Sequence, residues 1–215
     1  MDLLAVYFEN LIYNFFIKIK ELLKFSANKI YIKLQYLLFC EYFFTSPYMI
    51  IKRNKNAGGN FIYGETPILT MHKILEDAGV SSEDLLVDLG CGRGITLFGA
   101  YISKNMHCIG VDLIEPFITK GNKIVQKLKT DKIKFVNCDI LTYDLSKGNV
   151  FFIAGTTFED EVISKIALKL SALKTGSKII TLSQKINADG FRVIYKKKYQ
   201  FSWGDTLVYI QEKQE

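Results

Sequence analysis

The apolar run Leu85-Leu86-Val87-Asp88-Leu89 leads directly into Gly90-Cys91-Gly92-Arg93-Gly94, and from there into Ile95 to Lys104, whose apolar residues recur at helical spacing. A strand that turns into a helix through alternate glycines leaves few folds open, because this is how a parallel βαβ unit begins. The chain keeps alternating. His107 to Asp112 reads as a second strand, Pro116 to Lys129 as a helix with proline at its start, Lys132 to Cys138 as a third strand, and Val150 to Ala154 as a fourth. Glu159 to Leu173 reads as a helix and Lys178 to Ser183 as a fifth strand. Ahead of the first strand, Ile68, Leu69, Met71, Ile74, Leu75 and Ala78 recur at helical spacing between Thr66 and Gly79, where the glycine stops the pattern. Such alternation predicts a parallel sheet with helices on both faces. Its end differs: Phe191 to Phe201 and Thr206 to Gln211 read as two strands joined by Ser202-Trp203-Gly204-Asp205, with no room for a helix, so an antiparallel hairpin is expected there. The expected class is α/β, a Rossmann-like, mostly parallel sheet of seven strands with an N-terminal helical extension.

That extension, residues 1–53, is apolar, aromatic and dotted with lysine, as in Tyr13-Asn14-Phe15-Phe16-Ile17-Lys18-Ile19-Lys20, and reads as two or three helices. The stretch from Leu34 to Ile51 approaches the length of a membrane span, but Glu41 sits inside it and Pro47 interrupts it, so interfacial or protein-packed helices fit better. Early charges at Asp2 and Glu9 argue against a signal peptide. Helices with lysine on one face suit peripheral contact with a membrane, and equally a subunit interface. The polar loop from Lys52 to Asn60 marks the boundary with the second part, residues 54–215, where one active site is expected. The four cysteines, Cys40, Cys91, Cys108 and Cys138, stand far apart, and His72 and His107 are isolated, so no metal site is expected and a reducing, cytoplasmic setting is, with membrane association open. A net charge of +6 leaves anionic lipid, nucleic acid or an acidic protein face open as partners.

Gly90, Gly92 and Gly94 alone would serve a dinucleotide as well as S-adenosylmethionine. The acids around them favour the latter. Asp88, just before the loop, would repel a pyrophosphate but suits the methionyl ammonium. Asp112 ends the second strand where a carboxylate would take both ribose hydroxyls. Asp139, after the third strand, is placed for the adenine amino group. A helix-capping or turn role would account for any one of these acids, but less readily for all three.

With these residues placed, residues 61–213 resemble the seven-strand class of S-adenosylmethionine methyltransferases, and within it the non-SET lysine methyltransferases of the disruptor-of-telomeric-silencing type and their bacterial relatives. The closer resemblance rests on Tyr63-Gly64-Glu65-Thr66, Asp84 to Gly92, Gly110-Val111-Asp112, Asp139-Ile140-Leu141, and Ser202-Trp203-Gly204 with Val208-Tyr209. It implies that Tyr63, Glu65 and Thr66 belong to a loop closing over the methionine part of the cofactor, that Trp203 and Tyr209 wall a narrow lysine channel, and that the acceptor is a protein lysine. The chain departs from the family's pattern after the fourth strand, where Ile153-Ala154-Gly155-Thr156-Thr157-Phe158 stands in place of an Asn-Asn-Phe-type sequence. Thr156 or Thr157 is then the expected polar contact near the transferring methyl, Thr156 being the residue assigned. The departure keeps two other readings open: methylation of a small molecule, lipid or RNA, and a noncatalytic cofactor-binding scaffold.

Overall fold

The computed structural model describes residues 3–54, 64–155 and 158–215. Three helices come first: α1 (Leu3–Phe25), α2 (Lys29–Tyr42) and α3 (Pro47–Arg53). They are followed by α4 (Ile68–Asp77), β1 (Leu85–Leu89), α5 (Ile95–Lys104), β2 (His107–Asp112), α6 (Glu115–Leu128), β3 (Ile133–Asn137), β4 (Val150–Ile153), α7 (Asp160–Ser171), β5 (Lys178–Leu182), β6 (Phe191–Phe201) and β7 (Gly204–Lys213). The strands form one seven-stranded sheet in the order β3-β2-β1-β4-β5-β7-β6. The first five run parallel, while β7 is antiparallel to both β5 and β6. The expected seven-strand Rossmann-like sheet with a terminal hairpin is therefore observed.

Alternate residues of the strands feed two cores, one on each face. Leu86, Cys108, Phe135, Phe152, Ile180, Val208 and Phe201 join α2, α4, α5 and α6 on one face. Val87, Leu89, Val111, Phe151, Ile153 and Ile179 pack against Ile166 and Leu170 of α7 on the other. The hairpin is tighter than the sequence suggests, since β7 already begins at Gly204, whose φ of +125° only glycine tolerates with ease. Ladder pairing consequently continues to Phe201 opposite Gly204, and two residues, Ser202 and Trp203, make the turn.

The N-terminal helices share a core with the sheet. Tyr31, Leu34 and Leu38 of α2 are buried in the same cluster as Met71 and Leu75 of α4. α1 contributes a charge. Glu21 is 1% exposed, yet its carboxylate accepts from Lys18 Nζ at 2.8 Å, the Tyr31 hydroxyl at 3.1 Å and the Leu69 N–H at 3.2 Å. Leu69 lies in the first turn of α4, whose N-cap is Pro67 and has no capping side chain. Glu21 therefore supplies from a distant helix the anion that a helix N-terminus favours, which accounts for a carboxylate in an apolar place.

Candidate active site

The strand order reverses between β1 and β4, and the crevice outside the carboxyl ends of strands at such a point is where ligands bind in open α/β sheets. Asp88, Asp112 and Asp139 lie along this rim, on or just beyond β1, β2 and β3, which are neighbours in that order. Asp88 is 2% exposed and accepts from the Thr96 hydroxyl of α5. Burial pushes its carboxyl up to about 7, the nearby Asp112 adding to the effect and the Thr96 bond opposing it. Asp112 is held from two sides: Oδ2 accepts the Gly92 N–H at 2.8 Å and Oδ1 the Ile114 N–H at 2.8 Å. Burial raises this carboxyl as well. Each oxygen keeps acceptor capacity beyond these bonds, as paired ribose hydroxyls would require. Asp139 accepts the Leu141 N–H at 2.8 Å, which fixes its turn.

The loop between β1 and α5 passes through left-handed backbone at Gly90, Gly92 and Gly94, with φ of +88°, +52° and +77°. At Gly94 a side chain is excluded twice over, since a Cβ would also stand 2.3 Å from the Phe135 ring. The loop amides are engaged internally. Those of Gly90 and Cys91 donate to Val111 O, Gly92 to Asp112, and Gly94 to Cys91 O. These bonds hold the loop to β2 and to itself. A phosphate cradle needs open amides and tolerates carboxylates poorly. This loop offers the reverse: amides already bonded, with the buried Asp88 and the half-buried Asp112 beside them. The Cys91 thiol is pushed up by burial and by Asp88 and Asp112, so it is no nucleophile at neutral pH.

Above the loop, residues distant in sequence form a roof. The Glu65 N–H donates to Ser202 Oγ at 2.9 Å and the Ser202 N–H to Glu65 O at 3.2 Å. Trp203 packs on Gly64 so closely that a Cβ there would lie 2.3 Å from the indole. The indole stacks on Phe201 with centroids 4.8 Å apart and donates from Nε1 to Thr206 Oγ1 at 2.8 Å. Arg93 of the glycine loop forks onto Glu65, with Nη2 2.6 Å from Oε2 and Nε on Oε1, and its guanidinium lies 5.4 Å from the centroid of the Tyr42 ring of α2. α1 reaches the same turn: Asn14 Nδ2 donates to Ser202 O at 2.8 Å and the Tyr13 hydroxyl to Asp205 Oδ1 at 2.8 Å.

Of the residues expected at the site, Asp88, Gly90, Gly92, Gly94, Asp112 and Asp139 gather at the rim, while Glu65 and Trp203 meet in the roof. Thr66 is buried next to Glu65. Tyr63 and Thr156 lie outside the described residues. Tyr209 pairs with Thr181, which pairs with Ile153, so it stands at the same rim near the end of β4. Strand alternation puts it on the face opposite Val208 and Ile210, hence away from the Phe201 on which Trp203 stacks. Sequence reading missed Arg93, Tyr42 and Phe158. Phe158, beyond β4, would meet a Cβ on Gly90 at 3.2 Å and so closes over the glycine loop. Only Arg93 carried a local signal, as the cation among the three glycines.

These features fit S-adenosylmethionine: a buried carboxylate whose charged form awaits a cation, a second with free acceptor capacity, and a glycine turn with no opening for phosphate. Comparison with known proteins agrees. Residues 46–203 match the family described as histone methylation protein DOT1. The chain belongs to the DOT1 family. S-adenosylmethionine is the cofactor of this methyltransferase family, and the seven-strand sheet is that of class I methyltransferases. Among curated relatives, the chain is 29% identical over 136 residues to a histone-lysine N-methyltransferase, H3 lysine-79 specific, of Dictyostelium discoideum, covering 56% of this DOT1-family chain and 7% of that protein. It is 29% identical over 137 residues to a carboxy-S-adenosyl-L-methionine synthase of Nautilia profundicola, covering 59% and 58%. The chain therefore spans less than two thirds of either relative. Among solved structures, an RNA methyltransferase from Salinibacter ruber in complex with S-adenosyl-L-homocysteine superposes with a TM-score of 0.59 at 23% identity, covering 70% of this chain and 94% of that one. Geranyl diphosphate C-methyltransferase from Streptomyces coelicolor gives 0.54 at 15%, covering 68% and 76%. Both likenesses concern the fold of the DOT1-family domain.

Proposed function

We propose that this DOT1-family chain transfers the methyl group of S-adenosylmethionine to the side-chain amine of a protein lysine. The observation that supports the reading is the junction of Gly64-Glu65 with Ser202-Trp203, which brings an aromatic side chain beside Glu65 and, through Arg93, the glycine loop. When bound, the cofactor supplies an electrophilic methyl on a sulfonium, and the reaction is an in-line displacement that needs no metal. What remains for the protein is alignment and exclusion of water.

Each group has a task in this reading. Asp88 faces the methionyl ammonium, whose charge offsets the burial that raises the carboxyl. Asp112 orients the ribose, and Asp139 stands by the adenine. Glu65, fixed by Arg93 and Ser202, closes the methionine end. Trp203 flanks the acceptor, Tyr209 stands at the rim near the end of β4, and Thr156, from its place in the sequence, is assigned a polar contact to the acceptor. An aromatic passage disfavours the charged amine, so a lysine entering it sheds its proton to solvent and arrives as the nucleophile without a dedicated base.

A second reading, methylation of a small molecule, lipid or RNA, is favoured by one specific feature, the absence of amide side chains in Ala154-Gly155 and the residues that follow. A noncatalytic scaffold is the third. Incubation of the protein and cell extract with methyl-labelled S-adenosylmethionine separates them. Label in protein, recovered as methyllysine after hydrolysis, is expected. Protease-resistant label that partitions into organic solvent, or label released by nuclease, overturns the lysine assignment; absence of label from every fraction favours the scaffold.

A further inference from the structure

α1 is amphipathic, but its apolar side is turned outward. Ile17, Glu21 and Phe25 face the protein, whereas Phe8, Ile12, Phe15, Ile19, Leu22 and Leu23, at helical spacing, are 36–75% exposed. α2 and α3 continue the surface with exposed Ile32, Tyr36, Phe39, Phe43, Phe44 and Tyr48. Apolar surface on this scale is not left to water by a stable monomer. Its border is basic: Lys18, Lys20, Lys24, Lys29, Lys33, Lys52 and Arg53 are exposed, against Glu9 as the one exposed carboxylate among the described residues of α1 to α3. Glu21 is buried, and Glu41 is tied to Lys127 at 2.7 Å. No described helix is long and apolar enough to cross a membrane.

Within this face, between α1 and α2, a cleft of about 680 Å³ opens. Its lining includes the apolar Leu11, Phe15, Ile17, Leu38 and Phe43 and the polar or charged Glu65, Arg93, Tyr42 and Gln35. Such a volume is typical of small-molecule sites. Two polar atoms of this lining, Tyr42 Oη and Gln35 Nε2, are buried and have no hydrogen-bond partner. A buried polar atom left unpaired costs about 1–3 kcal/mol, and Tyr42 is 6% exposed, so water at the surface does not serve it. Both groups can donate. The ligand that fits has a long apolar part for the walls and oxygen acceptors for these donors; the two cations of the lining, Lys18 and Arg93, are already paired with Glu21 and Glu65, so the positive charge that favours an anion lies at the outer border.

We propose that the α1–α2 cleft is a lipid site, taking the acyl chain of an anionic amphiphile from a bilayer on which the surrounding aromatic face rests, with the head-group oxygens at Tyr42 and Gln35. The bilayer covers the outward apolar stripe, and its negative surface attracts the basic border. This site lies beyond the methyl-transfer reading and does not depend on it. Glu65, Arg93 and Ser202 line this cleft as well as forming the roof of the active site, so the head group lies against that roof.

The test uses the whole chain and two probes. In flotation, the protein is expected to rise with phosphatidylcholine vesicles containing phosphatidylglycerol, to stay below with phosphatidylcholine alone, and to be released by salt; Phe15→Asp with Phe39→Asp removes flotation. In the absence of vesicles, cis-parinaric acid, a fluorescent fatty acid, is expected to bind, with affinity about tenfold lower in Gln35→Leu and in Leu11→Trp. Leu11 is 54% exposed on the wall of the cleft, so tryptophan there narrows the cleft without entering the core. Fatty-acid binding that neither substitution changes, in variants with the wild-type circular dichroism spectrum and Tm, overturns the cleft assignment. Equal flotation on neutral and anionic vesicles, or none, overturns the membrane source. Methyl labelling of lysine in solution is unaffected by either result.

Discussion

The rim that carries Asp88, Asp112 and Asp139 and the roof that joins Glu65, Arg93 and Ser202 differ in how they are held. The rim is local. Thr96 is eight residues from the Asp88 it bonds, Gly92 twenty from Asp112, and the strands that present them hydrogen-bond side by side. The roof is assembled from afar: Ser202 lies 137 residues from Glu65 and 188 from Asn14. The rim is tied together by short-range bonds between neighbouring strands and their loops, so it is the more rigid of the two, and its acids Asp88 and Asp112 are held above their ordinary range. The roof is half-exposed and set by side chains, which suits a part that must open for cofactor and acceptor. Substitutions should therefore act on different quantities in the two regions.

The largest effect is expected at Asp88, where the rim holds a carboxyl pushed up to about 7 from an ordinary value of 3.8. The sign follows from linkage. The folded state binds this proton more tightly than the unfolded one, so the contribution of Asp88 to stability is greatest below about pH 4, falls as pH rises toward 7, and is level above. Asp88→Asn removes the larger part of this slope, leaving the smaller one from Asp112, and should raise stability at pH 8 by up to about 4 kcal/mol, while weakening S-adenosylmethionine binding. Denaturant titrations of the free protein at pH 4, 6 and 8 check this; a wild-type slope in the variant would show that Asp88 is not the buried acid responsible. Asp112→Ala, the next in size, should reduce cofactor affinity at least about 100-fold by calorimetry, since both ribose contacts and the anchor of the Gly92 amide go together. Unchanged affinity would remove Asp112 from the ribose role.

This division also governs what the sequence discloses. β1, α5 and β2 have the same ends in the chain's periodicity as in the fold, because a buried parallel strand must be apolar and the glycine turn needs left-handed backbone at fixed positions. Asp88 and Asp112 are legible for the same reason, through their places at strand ends. Nothing local reports that Glu21 caps α4, that Tyr42 lies under Arg93, or that Phe158 covers Gly90. These contacts depend on how helices outside the βα alternation dock. The outward stripe of α1 escapes for another reason: periodicity shows that a helix has an apolar side, not which way that side points.

Breaking the roof should change motion and acceptor binding more than fold stability. Arg93→Met removes the fork from Glu65 and the cation over Tyr42, for an expected loss of about 1–3 kcal/mol in stability and a weaker cofactor complex. In a double-mutant cycle with Glu65→Gln the two changes should be coupled by about 1 kcal/mol or more; additivity would mean that the pair does not hold the roof. Trp203→Ala should be smaller in stability, about 1–2 kcal/mol for a 40% exposed indole that keeps one stacking partner. Its signature lies elsewhere: a raised KM for a lysine peptide with cofactor affinity unchanged. A loss in cofactor affinity instead would place the indole at the rim.

The smallest effect tests whether α1 belongs to the roof at all. The Tyr13 hydroxyl is pushed up to about 12 by burial and by its bond to Asp205, so it stays a donor throughout the working pH range. Tyr13→Phe deletes that one bond at a partly exposed place and should cost no more than about 1 kcal/mol globally. Its local effect should be larger, because Asp205 sits on the strand that begins directly after the Ser202-Trp203 turn, and Asn14 of the same helix holds Ser202 O. Hydrogen exchange is the measurement that separates the two. Amides of residues 202–206 and Glu65 should exchange about fivefold faster in the variant, roughly 1 kcal/mol of local opening, while those of β1 and β2 remain as in wild type. Faster exchange across the rim as well would mean that rim and roof open as one unit, and the distinction between them would fail.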